Sequence, residues 1–278
     1  MRWDQNHRSQ NVEDRRGGPG GGRGGMKIGL GGAVLLLVLS LIFKKNMFAA
    51  LGVTGGGVQG DSPTQPVGND ELGRFAAFVF DDAQAFWQKE LSSGNARYRT
   101  AKLVLFSEET NSACGPANSA IGPFYCPGDE KVYIDLGFYY ELKTKFGAPG
   151  DFAQAYVMAH EVGHHIQTVL GIEDRVRADQ RRNPGNKNAL SIKMELQADC
   201  FAGMWAHSTA RRDLLEKGDI EEGLAAAASV GDDRIQSAAT GRIQPEKWTH
   251  GSAKERSTWF RKGYTTGNLA ECDTFASP

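Results

Sequence analysis

Histidine and cysteine are scarce in this chain, six and four among 278 residues. No C-x-x-C pair occurs, which excludes a zinc ribbon. Neither sign of charge is in excess: 32 Lys and Arg stand against 33 Asp and Glu, and a net charge of −1 points to no nucleic-acid partner. The glycine-rich opening, with Gly17 to Gly25 nearly all glycine, holds no aromatics among its glycines and few arginines, which excludes an RNA-binding Arg-Gly segment. Long apolar runs are missing too. The uncharged stretch from Ile28 to Phe43 has sixteen residues. As a helix it would span roughly 24 Å, short of a ~30 Å hydrocarbon core.

Three of the six histidines fall at positions 160, 164 and 165. His160-Glu161-Val162-Gly163-His164 is an H-E-x-x-H motif. On a helix, His160 and His164 lie one turn apart on one face and reach a single metal ion, with Glu161 beside them to act on water activated by that ion. The preceding stretch, Phe152 to Ala159, is almost wholly apolar, so the helix is buried, and buried imidazoles need partners. His165 is about 100° round the helix from His164 and is expected to pack elsewhere. A metzincin arrangement is excluded, because Gln167 and Leu170 stand where its Gly and third His belong.

A zinc site that keeps an open position takes three protein ligands. Glu195 is the best third ligand. Asp199, four residues on, shares its helical face and is placed to hold the second nitrogen of a ligand histidine. Apolar neighbours from Leu190 to Trp205 surround both carboxylates, and unpaired carboxylates are rarely buried in such company. Because apolar neighbours pack the two helices, neither Glu195→Ala nor Asp199→Ala is expected to unfold the chain.

These segments, H-E-V-G-H-H-I-Q and E-L-Q-A-D-C-F-A-G, resemble the bacterial family of putative neutral zinc metallopeptidases. The similarity extends to Ser112–Gly115, Gly122–Pro127, Val132–Leu136, Thr249–Ser252 with Trp259, Phe260 and Gly263, and the opening Met1-Arg2-Trp3. The resemblance implies a membrane-attached zinc peptidase of gluzincin type and no particular substrate.

Residues 1–27 read as a disordered cytoplasmic tail and 28–43 as a single transmembrane anchor, helped by snorkelling Lys44 and Lys45. Residues 44–68, Gly/Pro/Thr-rich from Gly52, read as a linker, and 69–278 as the catalytic domain. Six basic residues precede the apolar run and two follow it closely, so the domain is expected outside the cytoplasm of a bacterial inner membrane. A cleavable signal peptide is disfavoured by the long polar start and the lack of an A-x-A site. Cys114, Cys126, Cys200 and Cys272 allow three pairings, and an extracytoplasmic domain favours bonded cysteines.

The catalytic domain reads as a helix from Asn69 or Asp70 to about Leu91, strands at 103–106 and 131–136, and a helix at 138–146. The active-site helix follows, capped by Asp151 and ended by Gly171. A charged insertion at 175–188 precedes the Glu195 helix, and helices holding 224–228 and 253–263 come after it. This is an α+β, zincin-like order, mainly helical with a small sheet. The expected chemistry is peptide-bond hydrolysis with one Zn2+ ion and Glu161 as base. An oxyanion donor is sought among His250, His207, Tyr156 and Tyr133, with His250 preferred, and Val132–Asp135 is taken as the edge strand for substrate. The alternative is a membrane-anchored binding or assembly module with a structural zinc, which would not need Glu161 and would usually take four protein ligands.

Overall fold

The computed structural model describes residues 1–16, 70–92 and 97–276. The elements are β1 (Val12–Asp14), α1 (Glu71–Leu91), β2 (Lys102–Phe106), β3 (Glu109–Ser112), β4 (Gly115–Asn118), β5 (Phe124–Cys126), β6 (Lys131–Asp135), α2 (Gly137–Thr144), α3 (Asp151–Val169), α4 (Ile172–Arg182), α5 (Lys187–Arg211), α6 (Asp219–Ser229), α7 (Asp232–Thr240) and α8 (Ala253–Thr266), with short 3-10 turns between them. The protein is mainly helical with a small sheet, an α+β arrangement.

Asp70 caps α1 by accepting a hydrogen bond from the Leu72 amide, which satisfies one of the free N–H groups of the first turn. Phe75, Ala76, Val79, Ala83 and Trp87 bury the inner stripe, while Leu72 is exposed. β2 carries an unbroken apolar run because both its faces are covered. Leu103 and Leu105 join the large helical core, and Val104 and Phe106 join Cys126 and Tyr133 in a second cluster.

The sheet order is β1-β2-β6-β5, with β1, β2 and β6 parallel and β5 antiparallel to β6. The expectation that Val132–Asp135 forms the edge is therefore corrected. β6 is paired on both sides, and the free edges belong to β1 and β5. The charged segment after Gly171 is also more ordered than its composition suggested. Residues Ile172–Arg182 form α4, which turns its polar residues outward and buries only Ile172 and Val176.

A larger correction concerns the opening residues. The disordered tail expected over 1–27 is, over 1–16, part of the fold. Val12, Glu13 and Asp14 pair with Leu103, Val104 and Leu105. Trp3 packs edge-on against Phe75 at 5.6 Å, and the Asp81 carboxylate accepts from Asn11 Nδ2 at 2.9 Å and pairs with His7 at 2.8 Å. The Met1 amino group reaches Asp151, the first residue of α3, at 2.6 Å. Arg16 ion-pairs with Asp70, the residue that caps α1.

The expected anchor at 28–43 and linker at 44–68 lie outside the described residues. Among the described residues, no helix is long and apolar enough to cross a membrane. Strands exchange hydrogen bonds only when side by side, so a tail on one side of a bilayer and a domain on the other is incompatible with the β1–β2 pairing.

α3 is buried almost throughout, and α5 is buried from Leu196 to Ala206. The two approach closely at Gly163, where a Cβ would lie 3.1 Å from the Cα and carbonyl oxygen of Ala198. α8 packs along α5. There, a Cβ on Gly263 would overlap the Cys200 carbonyl, so the two backbones touch. A capping box, Ser252 with Glu255, starts α8. The four cysteines pair as Cys114–Cys126 and Cys200–Cys272.

The sheet pairing makes a topological prediction. Single cysteines introduced at the exposed positions Gln5 and Lys254 should share one fate with a membrane-impermeant maleimide in intact cells, both labelled or both protected. Labelling of one alone would show that residues 1–16 do not reside in this sheet.

Candidate metal centre

His160 and His164 stand one turn apart on α3, rings 4.8 Å centre to centre and nearly perpendicular. Glu195, near the middle of α5, brings its carboxylate to them. Its Oε2 lies 3.2 Å from His160 Nε2 and its Oε1 lies 3.6 Å from His164 Nε2. Donor atoms of these three residues converge within 4.8 Å of one another. Four ligands around zinc at 2.0–2.1 Å are separated by roughly 3.3 Å, the edge of a tetrahedron. The two observed spacings bracket that value, so the donor set fits a divalent ion of this size.

The far nitrogens of both rings are held. His160 Nδ1 lies 2.9 Å from Asp199 Oδ1, and His164 Nδ1 lies 2.8 Å from Gln167 Oε1. Each acceptor requires a proton on Nδ1, which directs Nε2 towards the metal position. Glu161 is buried beside His160, and its carboxylate has no hydrogen-bond or ion-pair partner among the described residues. His165 faces elsewhere, as expected: its Nε2 donates to the Arg99 carbonyl at 2.6 Å and its Nδ1 accepts from Tyr125 Oη at 3.0 Å.

Sequence reasoning missed Arg256. This buried arginine on α8 binds Asp199 through two nitrogens, Nε to Oδ2 at 2.8 Å and Nη2 to Oδ1 at 3.0 Å. Tyr156 Oη donates to Asp199 Oδ1 at 2.5 Å. Asp199 is thus fully buried yet supplied with four donors, the condition under which a buried carboxylate is stable. A readable sign existed: Arg256, Phe260 and Gly263 share one face at helical spacing, which puts the arginine on the packed side of α8.

The electrostatics follow the same contacts. Burial works to raise the Asp199 carboxyl, but the Arg256 charge and the His160 hydrogen bond hold it below the usual carboxylate range. Burial also opposes ionisation of Glu195, and the charges of His164 and His160 hold it well below its ordinary value. His160 is pulled down by burial, yet the hydrogen bond and charge of Asp199, with Glu195 behind them, push it up to about 9.

The four oxyanion candidates separate. Tyr156 is spent on Asp199, Tyr133 donates to Asp129 at 2.7 Å, and His207 donates to the Tyr264 carbonyl at 2.7 Å. His250 alone keeps company with the centre. Its Nδ1 lies 3.1 Å from Asp232 Oδ1, and Asp232 Oδ2 also accepts the backbone N–H groups of Thr249, His250 and Gly251. That loop rests on Ile192 and Leu196, which flank Glu195. Burial works to lower the His250 pKa, but Asp232 and the Glu195 charge raise it.

Fold and site together define an α+β protein with a candidate divalent-metal centre of the H-E-x-x-H kind. The chain belongs to the family described as putative neutral zinc metallopeptidase, whose family model matches residues 1–275. That family supplies zinc as the metal and hydrolase as the class. Similar proteins include the uncharacterized protein YpfJ of Escherichia coli K12, 43% identical over 283 residues that cover 99% of each chain. The uncharacterized protein Rv2575 of Mycobacterium tuberculosis is 46% identical over 191 residues, 65% of this chain and 64% of that one. No solved structure matches the chain.

Two predictions follow from these contacts. Asp199→Ala leaves the Arg256 guanidinium buried without its partner, so the earlier expectation that this change is structurally mild is revised. It should cost about 3–5 kcal/mol in denaturant unfolding, and the Asp199→Ala/Arg256→Met double variant should cost clearly less. Additive losses would show that the two do not act as a pair. Secondly, a ligand imidazole must be neutral, and His160 without metal carries its proton until the pH rises through about 9. Zinc loading at pH 7 should therefore release about one proton from this group, and progressively less above pH 9, in titrations across buffers of different ionisation enthalpy. Release that does not change between pH 7 and 10 would contradict the assignment.

Proposed function

We propose that this protein is a zinc-dependent peptidase of zincin-like, gluzincin-type architecture, with His160, His164 and Glu195 as ligands of one zinc ion. The observation that carries the reading is the convergence of these three donors next to a buried, unpartnered Glu161. When bound, zinc supplies Lewis acidity, lowering the pKa of water towards neutrality and polarising a carbonyl.

The remaining steps belong to the chain's own residues. Glu161 takes the proton of the attacking water and delivers it to the leaving amine. His250, oriented by Asp232, donates to the oxygen that gains charge in the transition state. Asp199 and Arg256 hold the His160 ring in place throughout. The peptide substrate lies along the free edge of β5, extending the sheet by backbone hydrogen bonds. Support for that path comes from Tyr125 on β5, which bonds His165 on the active-site helix.

Membrane attachment through residues 28–43 rests on their sequence alone. With β1 in the sheet, residues 1–16 and the metal domain share one side of the membrane, so the attachment is not proposed as a single crossing of the bilayer. Two disulfides support the extracytoplasmic side for both.

The test is turnover against metal content. Wild-type protein should cleave casein or a peptide library, lose the activity to a chelator and regain it with zinc. Glu161→Gln should retain one zinc and the fold while losing turnover by roughly 10²-fold or more. Full activity of Glu161→Gln, or zinc-loaded wild type that cleaves no peptide, would overturn the proposal.

A further inference from the structure

Two glutamines sit in the apolar interior between α3 and α5. Gln167 is completely buried and Gln197 nearly so. A buried carboxamide is costly unless its oxygen and nitrogen are both used. Here they are used in a line. His164 Nδ1 meets Gln167 Oε1 at 2.8 Å. Gln167 Nε2 donates to the Met194 carbonyl at 2.7 Å and to Gln197 Oε1 at 3.2 Å. Gln197 Nε2 donates to the Cys272 carbonyl at 3.0 Å. Cys272 is bonded to Cys200, which follows Asp199 on α5.

The direction of this line has no freedom. Backbone carbonyls only accept, so the Met194 and Cys272 oxygens each require an N–H, and this settles which end of each amide is nitrogen. Gln167 must then offer oxygen to His164, and His164 must carry its proton on Nδ1. Nε2 is left for the metal. The same amide ties α3 to the residue just before Glu195. One carboxamide therefore spans both halves of the centre, touching a ligand on one helix and the backbone beside a ligand on the other. The outer end of the line is anchored covalently by the disulfide and, through a hydrogen bond, by Thr274, whose hydroxyl donates to the Lys193 carbonyl at 2.7 Å.

We propose that Gln167 and Gln197 are positioning residues for the metal centre, and that the Cys200–Cys272 disulfide sets metal affinity by anchoring their amide relay at the Cys272 carbonyl. The inference rests on the reading of His164 and Glu195 as metal ligands. Reduction of this disulfide by an external dithiol, which leaves as its own cyclic disulfide while Cys200 and Cys272 become thiols, frees the Cys272 carbonyl to leave Gln197. Gln197 then loses its partner, Gln167 loses its fixed orientation, and His164 loses the acceptor that directs Nε2. The protein thereby binds zinc more weakly under reducing conditions.

The experiment measures zinc affinity by competition with a chromophoric chelator, and the visible spectrum of the cobalt-substituted protein, on the full chain. Gln167→Met, Gln197→Met and Cys200→Ala/Cys272→Ala should each weaken zinc about 10–100-fold, as loss of a partner that orients a ligand does. Their circular dichroism should stay that of wild type, and their cobalt bands should shift. Gln84→Met is the structural control. Gln84 is an equally buried amide whose oxygen accepts from Tyr98 Oη at 2.9 Å and from the Ala101 amide at 2.8 Å, away from the relay. That change should lower stability and leave zinc affinity and the cobalt spectrum alone. Should the cysteine variant fail to fold, Gln197→Met carries the test, since it leaves both disulfides intact. Wild-type affinity in Gln167→Met and Gln197→Met, or a loss in Gln84→Met as large as theirs, overturns the relay while leaving the ligand assignment standing. Wild-type protein that binds no zinc overturns both.

Discussion

The Asp199 carboxylate is the interaction on which the centre depends. It is fully buried, and three helices converge to keep it ionised: α3 brings Tyr156 and His160, α8 brings Arg256, and α5 carries the aspartate itself. An ionised group in a dry interior is tolerable only with its hydrogen bonds complete. That requirement couples packing to chemistry. The contact that pays for burying the charge also fixes the ring of His160, the proposed metal ligand.

The helix crossings that permit this are set by absent side chains. Gly163, inside the H-E-x-x-H motif, lets α5 approach α3, and Gly263 lets α8 lie against the α5 backbone. Closer approach shortens the distance that Glu195 and Arg256 must reach, so the donors meet without long, mobile side chains spanning a gap. The two candidate ligand histidines are then oriented by different chemistry. His160 has a charged partner backed by an arginine, and His164 has a neutral amide. An anionic partner raises the basicity of a ligand imidazole more than an amide does, so the two rings are unequal donors.

The opening residues change the architecture around this centre. A polar, glycine-bounded start reads as disordered by composition, but composition averages over residues that act singly. Trp3, His7, Asn11 and Val12 each find a specific partner on α1 or β2, and the backbone of 12–14 supplies a strand. A three-residue strand has no periodicity to detect, and its partner lies about ninety residues away in the chain. The same limitation hid α4, whose residues face water on most sides and leave only a short apolar stripe.

Local spacing by itself picked out His160 and His164 as the candidate ligand pair, the neighbouring Glu161, the helical face shared by Glu195 and Asp199, and the apolar helices that carry them. Each depends on a repeat of 3.6 residues, which a sequence displays directly. Only the tertiary structure decided which of the three cysteine pairings formed, which strand lay at the sheet edge, and that Arg256, Asp232 and Gln167 complete the surroundings of the centre. These depend on helices and loops that are distant in the chain meeting in space. The partner of a buried charge is chosen by that meeting, and a charged residue on an amphipathic helix looks the same in sequence whether it faces water or an aspartate in the core.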